Sequence, residues 1–157
     1  MQIPVGELLF VDTNILLGAT DQGRSTHHSC SRVINGSGER GWRLVTSDQV
    51  FREYAVVATR PVEQNGLGLS TPQALSNLHE IGRFLSLLDQ ELGQWSRLER
   101  LIKAGNLAGK RIHDANIVAT MEGHGVTHLA TDNPTDFDGI GSINAWASDS
   151  LAKDLDP

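Results

Sequence analysis

Four acidic stretches are scattered along this 157-residue chain. They are Val11-Asp12-Thr13-Asn14, Arg52-Glu53-Tyr54, His113-Asp114-Ala115, and the run from Thr131 to Phe137 that carries Asp132 and Asp136. Each lies beside a predicted strand end or helix start. Carboxylates are hard oxygen donors, and a few of them plus waters hold a cation such as Mg²⁺. Brought together without a cation they repel one another. The pattern implies a metal-dependent hydrolase, with phosphodiester cleavage as the leading chemistry.

Every one of these residues also has an ordinary structural use. Asp12 follows a buried strand and could point into a crevice, with Thr13 and Asn14 orienting it. It could equally cap a helix that begins near Ile15. Glu53 is three or four residues from Val50 and Val57 and so falls on or beside an apolar helix face. A carboxylate there needs a metal, a water or an arginine, or else a solvated head. Asp114 precedes the helical apolar set Ala115, Val118, Ala119 and Met121 and could be an N-cap. Its neighbour His113 reads as a polar edge residue. Asp132 and Asp136 bracket a turn with Asn133 and Pro134, where turn chemistry alone favours Asp and Asn. Arg97, Arg100, Lys103, Lys110 and Arg111 could rim a site for a phosphate backbone, or simply face solvent.

The intervening sequence supplies elements to hold them. Leu8 to Val11 is a continuous apolar run, the mark of a strand buried on both faces. Residues 25 to 34 read as a helix that Gly36 to Gly38 would end. Residues 42 to 45 read as a second strand, and Thr46, Ser47 or Asp48 could cap a helix that Pro61 stops after Arg60. Residues 62 to 70 read as a loop. Thr71-Pro72 opens a helix whose apolar stripe is Leu75, Leu78, Ile81, Leu85 and Leu88. Further helices are predicted near residues 95 to 103 and 114 to 122, the latter ended by Gly123. Val126 to Thr131 is a buried strand. The alternation predicts an α/β fold with a central, mostly parallel sheet flanked by helices. Ligands in such sheets bind beyond the carboxyl ends of the strands, where Asp12 and Asp132 fall.

Bulk properties narrow the field further. The length fits one domain, expected to span residues 1–147 with a short, at best partly ordered tail over 148–157. A net charge of −6 argues against a protein that merely coats nucleic acid. The single cysteine, Cys30, can form no internal disulfide, which suits a reducing cytoplasm. The first ten residues carry Glu7 and only a short apolar run, so neither a signal peptide nor a membrane span is expected.

Taken in order, the motifs resemble the PIN-domain fold, and within it the VapC-like toxins of bacterial toxin–antitoxin pairs. The matching residues are Asp12-Thr13-Asn14 and the following Ile15-Leu16-Leu17, Glu53 in a helix ending at Arg60-Pro61, His113 to Ala119, and Leu129 to Phe137. The resemblance implies a three-layer α/β fold in which Asp12, Glu53 and Asp114 bind Mg²⁺ or Mn²⁺. At the fourth acidic position, Asp132 sits at the strand end, whereas the family's usual register would use Asn133 and Asp136. It further implies cleavage of RNA, inhibition by a small antitoxin protein, and frequent homodimers. Two other readings stay open on the sequence: a metal-dependent phosphatase for small phosphate esters, and a catalytically silent PIN-like binding module.

Overall fold

A computed structural model describes residues 3–156. Its centre is a five-stranded sheet built from β1 (Leu8–Val11), β2 (Arg43–Ser47), β3 (Ser86–Leu88), β4 (His128–Ala130) and β5 (Asn144–Trp146). The strand order is β3-β2-β1-β4-β5 and every pairing is parallel. Parallel neighbours need crossovers, and among the described residues seven α-helices supply and flank them. These are α1 (Thr13–Thr20), α2 (His27–Gly36), α3 (Asp48–Thr59), α4 (Thr71–Gly82), α5 (Gln94–Gly105), α6 (Arg111–Gly123) and α7 (Ser148–Leu155). The expected α/β architecture is therefore present.

The central strands β1 and β4 lie deepest, and Leu9, Phe10, Val11, Leu129 and Ala130 are fully buried. In register, Val11 lies opposite Ala130, which aligns the carboxyl ends of β1 and β4. The backbone N–H of Asp12 then donates to the Ala130 carbonyl at 3.0 Å. On the other side Thr46 Oγ1 donates to the Val11 carbonyl at 2.8 Å. Three chain segments are thus fixed at one sheet edge before any catalytic side chain is considered. Helices α1, α3 and α4 are tied by one buried phenol: Tyr54 Oη lies 2.8 Å from Thr20 Oγ1 and accepts from Asn77 Nδ2 at 3.0 Å. Among the described residues no helix is long and apolar enough to cross a membrane.

Three expectations are corrected. The stripe ascribed to the fourth helix stops at Ile81, because α4 ends at Gly82; Leu88 belongs to the edge strand β3, paired with Ser47 of β2. The short strand β5 was not foreseen. Residues 148–155 are a helix rather than a loose tail: α7 packs on α2, with Leu151 and Leu155 buried. Their i, i+4 spacing gives one apolar stripe, and Ser148 Oγ lies 2.9 Å from Ser29 Oγ of α2.

Candidate acidic active site

Asp12 caps a helix and is held by its neighbours at the same time. It is the N-cap of α1, with Oδ1 accepting from the Thr13 N–H at 2.8 Å. Its Oδ2 accepts from Thr131 Oγ1 at 2.8 Å and from Asn14 Nδ2 at 3.4 Å. Only 8% of the residue is exposed. Burial raises its pKa to about 6, the charges of Glu53 and Asp114 add to the rise, and the bonds from Thr131 and Thr13 oppose it. A carboxylate so thoroughly held, yet so reluctant to ionise, is a group waiting for positive charge.

Glu53 is gripped through both oxygens. Thr13 Oγ1 donates to Oε2 at 2.9 Å, and Gln49 Nε2 donates to Oε1 at 2.9 Å. Gln49 lies one turn before Glu53 on α3 and also donates to the His113 carbonyl at 3.0 Å, so it fastens α3 to the start of α6. Asn116 Nδ2 donates in turn to Gln49 Oε1 at 2.6 Å. Asp114 sits in the first turn of α6, which begins three residues earlier than the sequence suggested. Its pKa is raised, first by burial and then by the charges of Asp136 and Glu53; Lys110 and Arg111 pull the other way. Asp12, Glu53, Asp114 and Asp136 therefore share one electrostatic neighbourhood.

Asp132 departs from the expectation. Its Oδ1 accepts from the Ser148 N–H at 2.9 Å, at the start of α7, and its Oδ2 accepts from Cys30 Sγ at 3.3 Å. Burial pushes the Cys30 thiol up to about 11, so it remains a protonated donor to that carboxylate. The backbone of Asp132 still belongs to the site edge, where its N–H donates to Asn14 Oδ1 at 3.0 Å. Its charge is spent on the N-terminus of α7, where a carboxylate is favoured. Asn133 is exposed, and its N–H rests on Thr131 Oγ1 at 3.2 Å. Asp132→Ala should accordingly lower the stability of the folded chain by about 1–2 kcal/mol, the usual effect of losing an N-terminal cap. Urea unfolding measures it; an unchanged midpoint would show that α7 does not lean on Asp132.

The basic rim is smaller than the sequence implied. Arg97 is folded back onto the Ala119, Leu92 and Glu91 carbonyls, Arg100 pairs with Glu122, and Lys103 pairs with Glu99. Lys110 and Arg111 are the two of the five whose charge reaches Asp114. Sequence reading also missed Gln49, Thr131 and Asn116. Gln49 had a signal, since it precedes Glu53 by four residues on one helix face. Thr131 had none beyond its place at a strand end.

Among the described residues, no three His, Cys, Asp or Glu side chains close tightly enough to hold a metal ion by themselves. The donor set nonetheless suits a hard cation: every donor is oxygen, the buried Asp12 is held against its own ionisation, and the neighbouring charges are alike. Mg²⁺ keeps several waters and binds through one or two carboxylates, which matches so open a grouping.

A family model for the PIN domain matches residues 9–141. The chain belongs to the PIN-domain family. Its fold is similar to VapBC2 from Rickettsia felis bound to a promoter DNA fragment, with a TM-score of 0.64, 15% identity, and 89% of this chain and 98% of that one covered. It is also similar to DNA-bound VapBC from Salmonella typhimurium, with a TM-score of 0.64, 17% identity, and 90% and 98% covered. The Mycobacterium tuberculosis toxin VapC20, which cleaves the sarcin–ricin loop, aligns with a TM-score of 0.61 at 16% identity over 86% and 98%. At such identities the likeness concerns the fold. A comparison with curated protein sequences gives no match.

Proposed function

We propose that this PIN-domain chain is an endoribonuclease that requires Mg²⁺ or Mn²⁺ and serves as the toxin of a toxin–antitoxin pair in the cytoplasm. One observation carries the reading. Asp12 is buried, caged by hydrogen bonds from Thr13, Asn14 and Thr131, and disfavoured as an anion first by that burial and then by the charges of Glu53 and Asp114. A purely structural N-cap needs none of the last feature.

Asp12, Glu53, Asp114 and Asp136 are the residues that would hold the cation, some of them through water. A divalent ion bound there supplies Lewis acidity toward a phosphodiester and lowers the pKa of a coordinated water. The chain contributes preorganisation. Thr131 and the Thr13 N–H fix the two oxygens of Asp12, and Thr13 and Gln49 fix those of Glu53, so neither carboxylate must reorient when substrate arrives. Lys110 and Arg111 beside Asp114 offer positive charge to an RNA phosphate. No protein nucleophile is needed.

A labelled single-stranded RNA tests the reading directly. Cleavage should require Mg²⁺ or Mn²⁺ and stop in EDTA. Release of phosphate from small esters with the RNA left intact would transfer the assignment to a phosphatase. Binding of a partner with no cleavage of RNA or esters would leave a silent binding module.

The toxin part rests on fold similarity to proteins crystallised as VapBC complexes. A groove between α1, α2 and α4, lined by Ala19, Ile34, Ile81 and Phe84 among others, supports a protein partner. Apolar side chains of an antitoxin would lie there, and a basic residue, by preference Arg, would enter the acidic site and pair with Asp12, Glu53 or Asp114. A homodimer is part of the same proposal, and the exposed Leu75 beside Phe51 and Leu78 offers one apolar surface for it. Co-expression with the protein encoded beside it should give a stable complex devoid of nuclease activity. A complex that cleaves RNA as fast as the lone chain would make a housekeeping nuclease the better assignment.

A further inference from the structure

Next to the acidic site lies a second cleft of about 300 Å³, at the lower end of the range for small-molecule sites. Gln49 joins the two: it holds Glu53 and His113 on one side and lines the cleft on the other. The walls are polar, with Ser47 and Asp48 at the start of α3, Arg52 one turn on, Gln90 after β3, and Asn116 from α6.

Three groups in these walls lack a side-chain partner within the chain. Ser47 stands at the N-cap of α3, where a serine hydroxyl ordinarily accepts from the first turn, yet it makes no capping bond. Its Oγ is buried with no partner, and the residue is only 5% exposed. A buried hydroxyl left unpaired is unfavourable by about 1–3 kcal/mol. Asp48 and Arg52 are opposite charges four residues apart on α3, a spacing at which such residues commonly pair. Among the described residues they form no ion pair with each other or with anything else. Meanwhile Asn116 is anchored from behind: Gln94 Nε2 donates to its Oδ1 at 3.0 Å, which fixes the amide that faces Gln49.

We propose that this cleft binds one nucleobase of the RNA substrate, guanine by preference, beside the phosphate that is cut. The inference rests on the ribonuclease reading above. Single-stranded RNA is recognised by splaying out a base and reading its edge with hydrogen bonds. Guanine alone presents two adjacent donors, N1–H and the N2 amino group, which suit the Asp48 carboxylate. It also presents two adjacent acceptors, O6 and N7, which suit the Arg52 fork. A second phosphate is the rival occupant, since a helix N-terminus and an arginine favour anions. Asp48 decides against it, because a carboxylate in the wall repels a phosphate and not a base.

The test separates base binding from chemistry. Metal-free, ¹⁵N-labelled protein is titrated with guanosine monophosphate, uridine monophosphate and inorganic phosphate, and the side-chain amides of Gln49, Gln90 and Asn116 are followed by NMR. Guanosine monophosphate should shift them saturably, and the other two should bind at least about tenfold more weakly, the discrimination typical of one bidentate base contact. Asp48→Asn and Arg52→Gln, both at exposed positions, should each remove that preference while leaving the fold intact by circular dichroism. Equal binding of all three probes, or a response to phosphate alone, overturns the proposal. On cleaved RNA, cuts should cluster next to guanine, and Asp48→Asn should lower kcat/KM on guanine-containing substrate about tenfold without lowering it on a guanine-free one. An equal loss on both overturns the base assignment. A wild-type chain that cuts no RNA sinks the ribonuclease reading, and the binding titration still decides what the cleft holds.

Discussion

Asp12→Asn should abolish RNA cleavage and, in the metal-free protein, raise stability. The first half follows from the metal-holding role proposed for Asp12, where substitution keeps shape and removes charge. The second half follows from its pKa, which lies at about 6 rather than 3.8 because burial and the neighbouring Glu53 and Asp114 disfavour the anion. Between those two values the folded chain keeps a proton that the unfolded chain has released. Stability from this group is therefore greatest at low pH, falls as pH rises from about 4 to about 6, and stays low above that. Two pKa units correspond to about 3 kcal/mol. The amide still caps α1, since Asn and Asp cap about equally well, but it forfeits the bond from Thr131, about 1 kcal/mol. A net gain of about 1–2 kcal/mol near pH 7.5 is expected. Thermal unfolding between pH 4 and 8 measures it: the wild-type chain should lose stability across the lower part of that range, and the variant should lose less. Mg²⁺ should raise the unfolding temperature of the wild-type chain and leave the variant where it was. A variant less stable than wild type at pH 7.5 would mean that Asp12 is chiefly a structural cap.

The same residue shows why parts of this molecule can be read from its sequence and others cannot. Strand β1 is a continuous apolar run and could be little else, and β4 shows through the apolar residues of the stretch from Val126 to Thr131. Asp12 follows β1 directly, so its place at the sheet edge is legible as well. Helix α3 announces itself through Val50, Tyr54 and Ala58, and Pro61 ends it. The edge strands give no such signal. Ser86-Leu87-Leu88 is three residues long and half exposed, and it continues the spacing of the preceding helix closely enough to be read as part of it. Only pairing with β2 makes it a strand. Helix α7 hides for another reason: its two buried leucines lie among Asp, Ser and Lys, and they need the surface of α2 before they count as core.

Site chemistry divides along similar lines. Residue type and position along a strand are local and visible; the direction in which a carboxylate turns depends on what lies beside it. Asp132 has the better sequence credentials, at the end of a buried strand, but the N-terminus of α7 and the Cys30 thiol claim its two oxygens. That competitor lies sixteen residues onward, in a segment whose structure the sequence did not betray. Asp136 has weaker credentials, in a polar turn, yet the Pro134–Phe137 helical turn packs on α6 and brings its charge to bear on Asp114.

Alanine substitution should therefore separate the two residues cleanly. Asp136→Ala should lower RNA cleavage about 10- to 100-fold, the usual consequence of losing a residue that supports a metal site. It should leave stability unchanged or slightly raised, because a like charge beside Asp114 has been removed. Asp132→Ala should do the reverse: the chain unfolds more easily, while the protein that remains folded cuts RNA at close to the wild-type rate. Specific activity at low temperature, set beside urea midpoints for both variants, distinguishes these patterns. If Asp132→Ala inactivates a fully folded chain while Asp136→Ala does not, the strand-end residue is the fourth member of the acidic set after all, and binding of the cation must then draw its carboxylate away from α7. If both variants inactivate, Ser148→Pro offers a further decision. It removes the N–H that Asp132 accepts from, together with the hydroxyl beside Ser29, and leaves every carboxylate in place, so an active Ser148→Pro protein would assign the Asp132 effect to its charge and not to the helix it caps.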